Sequence, residues 1–442
     1  MKCSKKMNPL LRRFGTYQLQ QSLKQVYYSD LKRHAYISWK SGSGKSELLK
    51  NLFYLLQDKT EKRRNASLIL IDPHGDLARE VKNFYLNTES DRVVYINPVR
   101  QNDYTPTINP FYLPKISEDH IDTRTQYLIG VFKELLPQST LSNHMEAILY
   151  PCISVLLRKG DASLVDLQRF MNDDLNKDLV LLGQQSPQAQ ERKFFTNEFH
   201  NRIYALTKAS LQSKLQSLIN KPSFYRLVVG ENTLSIWQEM QKGKVIIFNL
   251  AKGHLWAETS LIFGRMIIAI IQSIAQSRIK QPQQFRKDCF LFIDECHNYI
   301  SPSIDTILKE ARKFGVYLIL ANQNVSDIQP TTLLSGLLNN TDVKLVGRNG
   351  NKSLSILSKE IGMPVKVLDT LKQYEFILKS SDKKAVKIKT KAILKKPYFQ
   401  MNRKTYTHFK NNILKQYYKE VQNVQTPTPQ VLNWLPKYPL TP

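Results

Sequence analysis

Short apolar runs alternate with stretches of helical periodicity over two parts of the chain. Apolar runs without polar alternation indicate strands buried on both faces, and helices between such strands indicate a parallel sheet with crossover connections. The pattern therefore predicts an α/β fold. The predicted strands are 34–37, 67–72, 92–97, 244–250, 289–294, 316–321 and 343–346, followed by a hairpin of 374–378 with 385–390. The predicted helices between them include 47–56, 261–279 and 303–314.

A long central segment shows helical periodicity and few strand signals. Its predicted helices are 121–136, 144–157, 164–171 and 205–219, with a kink or break at Pro151 in the second. We therefore expect an all-α domain over 117–230, inserted between the two parts of the α/β domain. Those two parts are predicted to be 34–116 and 231–395.

The two ends of the chain differ from the centre in composition. Residues 1–33 form a predicted basic N-terminal arm with a short strand at 16–19. Residues 396–442 form a basic, proline-rich C-terminal tail, with a helix expected around 406–418 before a poorly ordered end.

A glycine-rich turn, 38–46, lies between the first predicted strand and the first predicted helix. Such a turn directs backbone N–H groups and the positive end of the helix at an anion. It matches the pattern G-x-x-x-x-G-K-[ST] except at the first position, where Trp39 stands and where glycine normally allows a backbone angle that other residues resist. We expect Lys45 to reach the β- and γ-phosphates and the Ser46 hydroxyl to bind Mg²⁺. The predicted nucleotide-binding residues are Ser41, Gly42, Ser43, Gly44, Lys45, Ser46 and Glu47, and the alternative is a chance Ser/Gly turn before a helix.

Two adjacent carboxylates, Asp294 and Glu295, end a later apolar strand. In an ATPase with a phosphate loop we expect this strand to lie next to the loop, with Asp294 in the Mg²⁺ shell and Glu295 polarising the attacking water. Gln323 follows the next strand, where its amide would sense the γ-phosphate or orient the water. The alternatives are a helix-capping acidic pair and an ordinary polar residue at a strand end.

Two arginines are candidates for the arginine that neutralises charge on the transferred phosphoryl group. They are Arg312 and Arg348, and in a ring of subunits such an arginine can come from the neighbouring subunit. A solvated or salt-bridged arginine is the alternative for each. The turn 71–76, Ile-Asp-Pro-His-Gly-Asp, either reaches the nucleotide or is ordinary turn chemistry, and the sequence leaves both interpretations open.

The charge balance is strongly basic. Lys plus Arg number 64 against 37 Asp plus Glu, so that the 442-residue chain has a formal net charge of +27. This excess favours a polyanionic partner, nucleic acid or an anionic membrane surface, and the alternative is a basic surface without a specific partner. In the tail, lysines are mixed with tyrosine and phenylalanine rings, which suits either single-stranded nucleic acid or packing of the rings on the core.

The sequence features that report on compartment predict a cytoplasmic protein. Four scattered cysteines form no C-x-x-C pair, which indicates reduced thiols. No apolar segment follows the charged N terminus as in a secretory signal. The longest apolar run, 261–274, is too short to span a bilayer and predicts a buried helix.

Six motifs in order resemble the HerA/FtsK superfamily of hexameric DNA-pumping ATPases, and within it the coupling ATPases of conjugative type IV secretion. They are SGSGKS at 41–46, LIDPHGDL at 70–77, INP at 108–110, IDE at 293–295, EARKFG at 310–315 and LANQ at 320–323. The resemblance implies a RecA-like P-loop NTPase fold with a mostly parallel central sheet and an inserted all-α domain. It also implies ATP and Mg²⁺ as cofactors, a homo-hexameric ring, and DNA bound through its backbone without sequence specificity.

The same resemblance implies a role for each site residue. Lys45 and Ser46 would bind the phosphates and Mg²⁺, Asp294 and Glu295 would form the second ATPase motif, Gln323 would be the sensor, and Arg312 or Arg348 would act across or within the subunit interface. The chain departs from the family at Trp39, where the family usually has glycine. It also departs in the N-terminal transmembrane anchor of many coupling proteins, which we expect to be missing, so that membrane association would need a partner.

The sequence thus leads to the hypothesis of an ATP-driven DNA translocase that pumps DNA through a hexameric ring toward a type IV secretion channel. Its expected partners are DNA, a relaxase and channel proteins, and its expected location is the cytoplasm, peripheral at the inner face of the membrane. One alternative is a secretion, packaging or repair ATPase of the same superfamily. The other is a non-hydrolysing DNA-binding scaffold whose phosphate loop is damaged at Trp39.

Overall fold

The computed structural model describes most of the chain between residues 26 and 421. The described residues are 26–57 apart from Ser41 and Ser43, 66–99, 103–112, 118–135, 143–252, 255, 257–380, 382–390 and 403–421. The strand expected at 16–19 and the end of the proline-rich tail lie outside them.

Nine strands of the described residues form one sheet. Its order from edge to edge is β10-β9-β8-β1-β7-β6-β2-β5-β3. The seven strands from β8 to β3 are parallel, whereas β9 is antiparallel to both β8 and β10. The strands are β1 (Ala35–Ser38), β2 (Ser67–Asp72), β3 (Val93–Ile96), β5 (Val245–Asn249), β6 (Cys289–Ile293), β7 (Val316–Asn322), β8 (Val343–Val346), β9 (Glu375–Ser380) and β10 (Val386–Lys389).

The predicted strands and the hairpin are therefore confirmed, with ends that differ by one or two residues. The central strands β1, β2, β6 and β7 are buried at every position, which is why their sequences are continuous apolar runs rather than alternating ones. A separate pair of short strands that the pattern did not predict, β4 (Tyr104–Thr105) and β11 (Lys419–Glu420), is antiparallel.

Helices surround the sheet and fill the central segment. In the described residues they are α1 (Tyr28–Leu31), α2 (Lys45–Gln57), α3 (Asp76–Thr88), α4 (Glu118–Leu135), α5 (Asn143–Lys159), α6 (Leu164–Phe170), α7 (Lys177–Gln184), α8 (Ala189–Lys193), α9 (Ala205–Ile219), α10 (Pro222–Val228), α11 (Ile236–Gln241), α12 (Ala257–Ser277), α13 (Pro302–Glu310), α14 (Thr331–Asn340), α15 (Asn351–Ile361), α16 (Val365–Asp369) and α17 (Arg403–Tyr417).

Aromatic packing fixes α2 against the sheet beside the predicted phosphate loop. The Phe53 ring of α2 stacks on Phe292 of β6 with centroids 3.9 Å apart. From α3, the Tyr85 hydroxyl donates to the Phe53 carbonyl over 3.3 Å. These contacts hold the start of α2, and hence Lys45, over the middle of the sheet.

The central segment is helical, as predicted, with no strand among its described residues from Glu118 to Val228. Asn109 and Asn232 join the chain entering it to the chain leaving it. The Asn109 N–H donates to Asn232 Oδ1 over 2.6 Å, and Asn232 Nδ2 donates back to the Asn109 carbonyl over 3.0 Å. Asn109 Nδ2 also donates to the Ala162 and Gly230 carbonyls. The INP motif therefore closes the base of the helical segment.

Two helices of this region differ in detail from the prediction. α5 continues through Pro151 to Lys159, so the expected break is absent, because Ile148, Leu149 and Ile153 hold both halves of the helix in the core. α4 packs against α12 as well as α5, so it belongs to the contact between the helical segment and the sheet-bearing part. One helix of the described chain, Ala257–Lys280, is long and apolar enough to cross a membrane, but 72% of its most apolar window is buried in the protein.

The C-terminal helix α17 packs against β3, at the edge of the sheet. Its apolar side chains are buried, and they are Phe409, Ile413, Leu414 and Tyr417. The next residue, Tyr418, accepts the Asn97 N–H over 2.8 Å and donates to the Tyr95 carbonyl over 3.1 Å. The helix expected around 406–418 is thus confirmed, and three rings of the tail, Phe409, Tyr417 and Tyr418, pack on the core.

We expect Tyr418→Phe to lower the free energy of unfolding by about 1–3 kcal/mol, because the buried Tyr95 carbonyl loses its donor and the half-buried Asn97 N–H loses its acceptor. Urea denaturation measures this loss. Tyr406→Phe is the matched control, since Tyr406 lies on the same helix with 41% of its surface exposed, and it should change stability little. Equal losses in the two variants would show that the Tyr418 hydroxyl does not hold the helix on β3.

Candidate nucleotide-binding site

The loop that follows β1 leaves the sheet between two neighbouring strands. Because β1 lies between β7 and β8, the loop begins at the carboxyl edge of the sheet. The Trp39 N–H donates to the Asn322 carbonyl at the end of β7 over 3.3 Å, and the Lys40 N–H donates to the Arg348 carbonyl after β8 over 2.5 Å. The loop is therefore anchored on both sides at its first two residues.

Glycines shape the turn that follows. Gly42 and Gly44 have φ angles of 81° and 102°, which side chains resist. A Cβ atom on Gly44 would also lie 2.5 Å from Cδ1 of Tyr374. Ser41 and Ser43 lie outside the described residues, so their predicted role stays a prediction.

Three further predicted binding residues begin α2. Lys45 is its first residue, the Ser46 side chain is exposed, and the Glu47 carboxylate accepts a hydrogen bond from Lys50 over 2.5 Å. Glu47 is therefore engaged within the helix through its side chain. Only its backbone N–H, in the first turn, points to the anion-binding end of α2.

The Lys45 ammonium contacts both predicted carboxylates. Its Nζ donates to Asp294 Oδ1 over 2.9 Å, to Asp294 Oδ2 over 3.0 Å and to Glu295 Oε1 over 2.8 Å. Only 13% of the Lys45 side chain and 3% of each carboxylate side chain are exposed. The structure thus brings the two predicted motifs together at one point.

Burial and charge act against each other on these three groups. Burial lowers the pKa of Lys45, but the charges of Asp294 and Glu295 outweigh it and leave that pKa raised. Burial raises the pKa of Asp294 to about 6, against the opposing effect of Lys45. Burial also acts to raise the pKa of Glu295, but Lys45, Gln323 and His297 together outweigh it, so that pKa is lowered. Glu295 is therefore ionised at neutral pH.

Glu295 is held in a strained backbone conformation. Its φ and ψ are 47° and 54°, a left-handed region that costs a non-glycine residue on the order of 1 kcal/mol or more. The Glu295 N–H donates to Asp294 Oδ1 over 2.9 Å, and Asn298 Nδ2 donates to the Glu295 carbonyl over 3.0 Å. These bonds hold the turn that aims Glu295 back toward Lys45.

Gln323 lies beside the same carboxylate. Its Nε2 donates to Glu295 Oε1 over 2.8 Å, the oxygen that also accepts from Lys45. The strand that ends in the acidic pair was predicted to lie next to the loop, and its end does meet Lys45, although β7 lies between β1 and β6 in the sheet. The long Lys45 side chain spans the end of β7, and Gln323, which follows β7, fills the place between the two.

The two arginine candidates lie at opposite edges of the sheet. Arg348 follows β8 at the carboxyl edge and is exposed. Arg312 precedes β7 at the amino edge, where it pairs with Asp342 at 3.3 Å and has 41% of its side chain exposed. A strand of seven residues separates these edges by about 20 Å. Arg312 is thus not part of the site in its own chain.

The turn after β2 is built by Asp72. Its Oδ1 accepts the His74 N–H and its Oδ2 accepts the Ala78 N–H, each over 2.8 Å. Gly75, with a φ of 84°, passes so close to Asn249 that a Cβ atom would lie 2.6 Å from Oδ1. The geometry supports turn chemistry for Asp72.

The sequence patterns missed three polar or aromatic residues around the site, namely His297, Gln373 and Tyr374. Gln373 Nε2 donates to the Gly42 carbonyl over 2.9 Å, and the neighbouring Tyr374, with a φ of 67°, places its ring against Gly44. His297 Nδ1 donates to Asn322 Oδ1 over 2.7 Å and lies 3.6 Å from Glu295. The sequence gives a weak indication of His297, because it lies two residues after the acidic pair. Nothing local points to Gln373 or Tyr374, which lie about 330 residues from the loop.

Comparison with known protein families shows to which family the chain belongs. The family model described as the central domain of the helicase HerA matches residues 25–267, more than half of the chain. The chain belongs to this family. The match includes the phosphate loop and the whole helical segment. Asp294, Glu295 and Gln323 lie beyond the matched residues, and they join the phosphate loop through the hydrogen bonds of Lys45 and Gln323.

Solved structures similar to this HerA-family chain share its RecA-like architecture. The bacterial conjugative coupling protein TrwBΔN70, in an unbound form, is 16% identical with a TM-score of 0.60, covering 86% of this chain and 92% of its own. TrwB in complex with ADP and Mg²⁺ is 18% identical with a TM-score of 0.59, covering 88% and 95%. VirB4 of Thermoanaerobacter pseudethanolicus is 17% identical with a TM-score of 0.54, covering 83% and 91%. No curated protein matches the sequence.

The residues at the site fit a magnesium ion of the kind that nucleotides carry. Mg²⁺ keeps several waters and takes one or two protein oxygens together with phosphate oxygens. Ser46, exposed at the start of α2, and Asp294, at the end of β6, provide two such oxygens. Among the described residues no group of three or more His, Cys, Asp or Glu side chains is arranged to hold a metal on its own.

We expect Lys45→Met to lower the free energy of unfolding by about 2–3 kcal/mol at pH 8, since it leaves two buried carboxylates without their cation. Without Lys45 the folded-state pKa values of both carboxylates rise above their unfolded values. Their protonation then contributes stability at low pH, which is lost as pH rises, so the loss should be smaller at pH 5. Urea denaturation at both pH values measures it.

Lys309→Met is the matched control for this variant. Lys309 pairs with Asp305 on α13, with 56% of the lysine side chain exposed, so its removal should change stability little at either pH. A loss for Lys45→Met that is the same at pH 5 and pH 8 would contradict the assignment of Lys45 as the counterion of the buried pair.

Proposed function

We propose that this protein is an ATP-dependent DNA translocase of the type that couples DNA to a conjugative type IV secretion channel. One observation carries the proposal: the phosphate-loop Lys45 meets Asp294, Glu295 and Gln323 at one point of the sheet edge. These are the groups that a phosphate-loop ATPase needs to bind a nucleotide, hold its magnesium and position a water.

The residues divide the work of hydrolysis by their chemistry. Backbone N–H groups at the start of α2 and the Lys45 ammonium bind the phosphates, and Mg²⁺ neutralises charge on them when bound. Glu295 is ionised and accepts a proton from the attacking water. Gln323 holds the Glu295 carboxylate through its amide and is placed to orient the same water.

Binding of ATP and Mg²⁺ is supported by the structural neighbours. TrwB, whose fold this chain shares, has been solved with the non-hydrolysable ATP analogue ADPNP and with ADP and Mg²⁺. At 17–18% identity this likeness shows the fold, and the transfer of ligands to this chain rests on the site geometry.

DNA as the cargo is supported by charge and by family. The chain has a formal net charge of +27, as expected for a protein that follows a phosphate backbone, and the family to which it belongs is named for a helicase. Contacts of this kind position the strand without reading bases. We infer a homo-hexameric ring with DNA in its channel, and a relaxase and secretion-channel proteins as partners.

The ring gives the two arginines different tasks. Because Arg312 lies at the edge of the sheet opposite to its own Lys45, it would act on the nucleotide of a neighbouring subunit. Arg348 lies at the carboxyl edge beside the phosphate loop, so it would act within its own subunit.

A second candidate is a secretion ATPase of the same superfamily that acts on protein subunits, since the chain shares its fold with VirB4 as well as with TrwB and the fold alone does not separate the two functions. DNA separates the two candidates. A DNA pump should hydrolyse ATP faster with DNA, and its DNA affinity should fall steeply between 50 and 200 mM salt, by about 10³-fold if six phosphates are contacted. A protein-secretion ATPase should show neither effect.

We expect Glu295→Gln to lower the kcat of DNA-stimulated ATP hydrolysis by about 10²–10⁴-fold, because glutamine cannot accept the proton from water. Nucleotide affinity should be unchanged, since the amide keeps its size and its place beside Gln323. Phosphate release and equilibrium binding of a fluorescent ATP analogue measure the two quantities.

Glu310→Gln is the control, since Glu310 is exposed at the end of α13 and should leave kcat unchanged. Wild-type protein that neither binds nor hydrolyses ATP, with or without DNA, would overturn the proposed function. Full activity of Glu295→Gln would overturn only the role of Glu295.

The placement of Arg312 predicts complementation between subunits. Arg312→Ala and Glu295→Gln should each be inactive alone, but mixed rings contain interfaces in which an intact Arg312 faces an intact Glu295. ATP hydrolysis should therefore return in part when the two proteins are mixed. Mixing Arg348→Ala with Glu295→Gln should restore nothing if Arg348 acts in its own subunit. No recovery in the first mixture would contradict action of Arg312 across the interface.

A further inference from the structure

Trp39 occupies the position where the phosphate-loop pattern has its first glycine, yet the backbone there is not of the kind that needs glycine. Trp39 is not among the described residues with positive φ. Its N–H continues the hydrogen bonding of β1 to β7 through the Asn322 carbonyl. The chain therefore leaves the strand in an ordinary conformation, and the left-handed angles come later, at Gly42 and Gly44.

The indole has a prepared place in the core. Only 1% of Trp39 is exposed, and it is among the largest fully buried side chains of the described residues. Gly347, which follows β8, borders this place: a Cβ atom on Gly347 would lie at an ordinary contact distance of 3.5 Å from the Trp39 Cβ, and only 2.8 Å from the Phe376 ring. The indole is therefore packed in the core, and the close neighbour of Gly347 is Phe376.

The face of this buried ring lies against the lysine of the loop. Lys45 Nζ lies 4.8 Å from the centroid of the Trp39 ring, within the range of a cation–π contact, and tryptophan is the strongest partner for such a contact. The described contacts of the ammonium are this ring and the two carboxylates. It is therefore held by partners of two different chemical kinds.

These partners differ in what happens to them when a nucleotide binds. Carboxylates are drawn to a magnesium ion and to the attacking water, so their bonds to Lys45 must be exchanged. The face of an indole competes for neither of these and also excludes water from the ammonium. The ring contact is therefore the one that can persist while Lys45 turns to the phosphates.

We propose that Trp39, which stands where the usual loop has glycine, is a positioning residue whose ring holds the Lys45 ammonium in the nucleotide site. The proposal rests on the proposed function in one respect, since it takes the ligand of Lys45 to be a nucleotide phosphate. It differs from the idea of a damaged loop, because it assigns the ring a contribution to binding.

The test compares Trp39→Phe with Trp39→Leu in the full-length protein. Both changes remove volume from the same buried place, but only phenylalanine keeps an aromatic face. Equilibrium binding of mant-ADP with Mg²⁺ should be close to wild type for Trp39→Phe and roughly threefold to thirtyfold weaker for Trp39→Leu. Equal affinities for the two variants, or tighter binding by Trp39→Leu, would overturn the proposal.

A second pair in a Lys45→Met background separates positioning from simple packing. With no cation to hold, Trp39→Phe and Trp39→Leu should bind mant-ADP equally, so that the difference seen with Lys45 disappears. A difference of the same size in both backgrounds would show that the ring acts only through packing. Trp237→Leu is the matched control, because Trp237 lies against Arg278 at the amino edge of the sheet and should not affect binding.

Trp39→Gly restores the usual loop sequence. For this variant our proposal and the hypothesis of a loop damaged at Trp39 predict opposite results. We expect weaker mant-ADP binding and no gain in ATP turnover, whereas a gain in turnover would overturn the proposal. If the wild-type protein fails to bind mant-ADP at all, the proposed function fails with it. If wild type binds and only the comparison of Phe with Leu fails, the role of Trp39 alone is lost.

Discussion

The contact of Lys45 with Asp294 and Glu295 is the constraint on which the rest of the site depends. Two adjacent carboxylates that are each 3% exposed would be very costly to ionise without a cation beside them. The cation comes from a loop two strands away, since β7 lies between β1 and β6. The order of the sheet and the ionisation of the site therefore support each other, and the strained backbone of Glu295 persists because both ends of its turn are held.

The parallel sheet separates the candidate site residues into two groups. All parallel strands present their carboxyl ends at one edge, where the phosphate loop, the acidic pair and Gln323 meet. The chain that connects two parallel strands must return to the amino edge of the sheet before the second strand begins. Arg312 lies at that edge, shortly before β7. In a ring of like subunits, the two edges can face each other, so residues far apart in one chain can serve one nucleotide.

The surroundings of the loop show why a departure from a motif can be tolerated. Glycine is needed in a phosphate loop where the backbone turns or a neighbour approaches, as at Gly44 beneath Tyr374. At position 39 neither condition holds, because the chain still follows the hydrogen bonding of β1, Trp39 is not among the described residues with positive φ, and its indole is packed in the core. A large ring can then replace the glycine, and its face becomes a wall of the site next to Lys45.

Local patterns in the sequence predicted the strands of the large sheet, about half of the described helices, and the meeting of Lys45 with the acidic pair and Gln323, because burial on two faces and the chemistry of strand ends leave marks within a few residues. They did not determine which strand lies beside β1, that Arg312 stands at the far edge, or that α5 continues through Pro151. They were also silent on the contacts of Gln373 and Tyr374 with the loop and on the setting of Trp39, and they left open whether the rings of the tail pack on the core. Each of these depends on contacts between residues that are distant in sequence, and only the packed sheet and its helices bring such residues together.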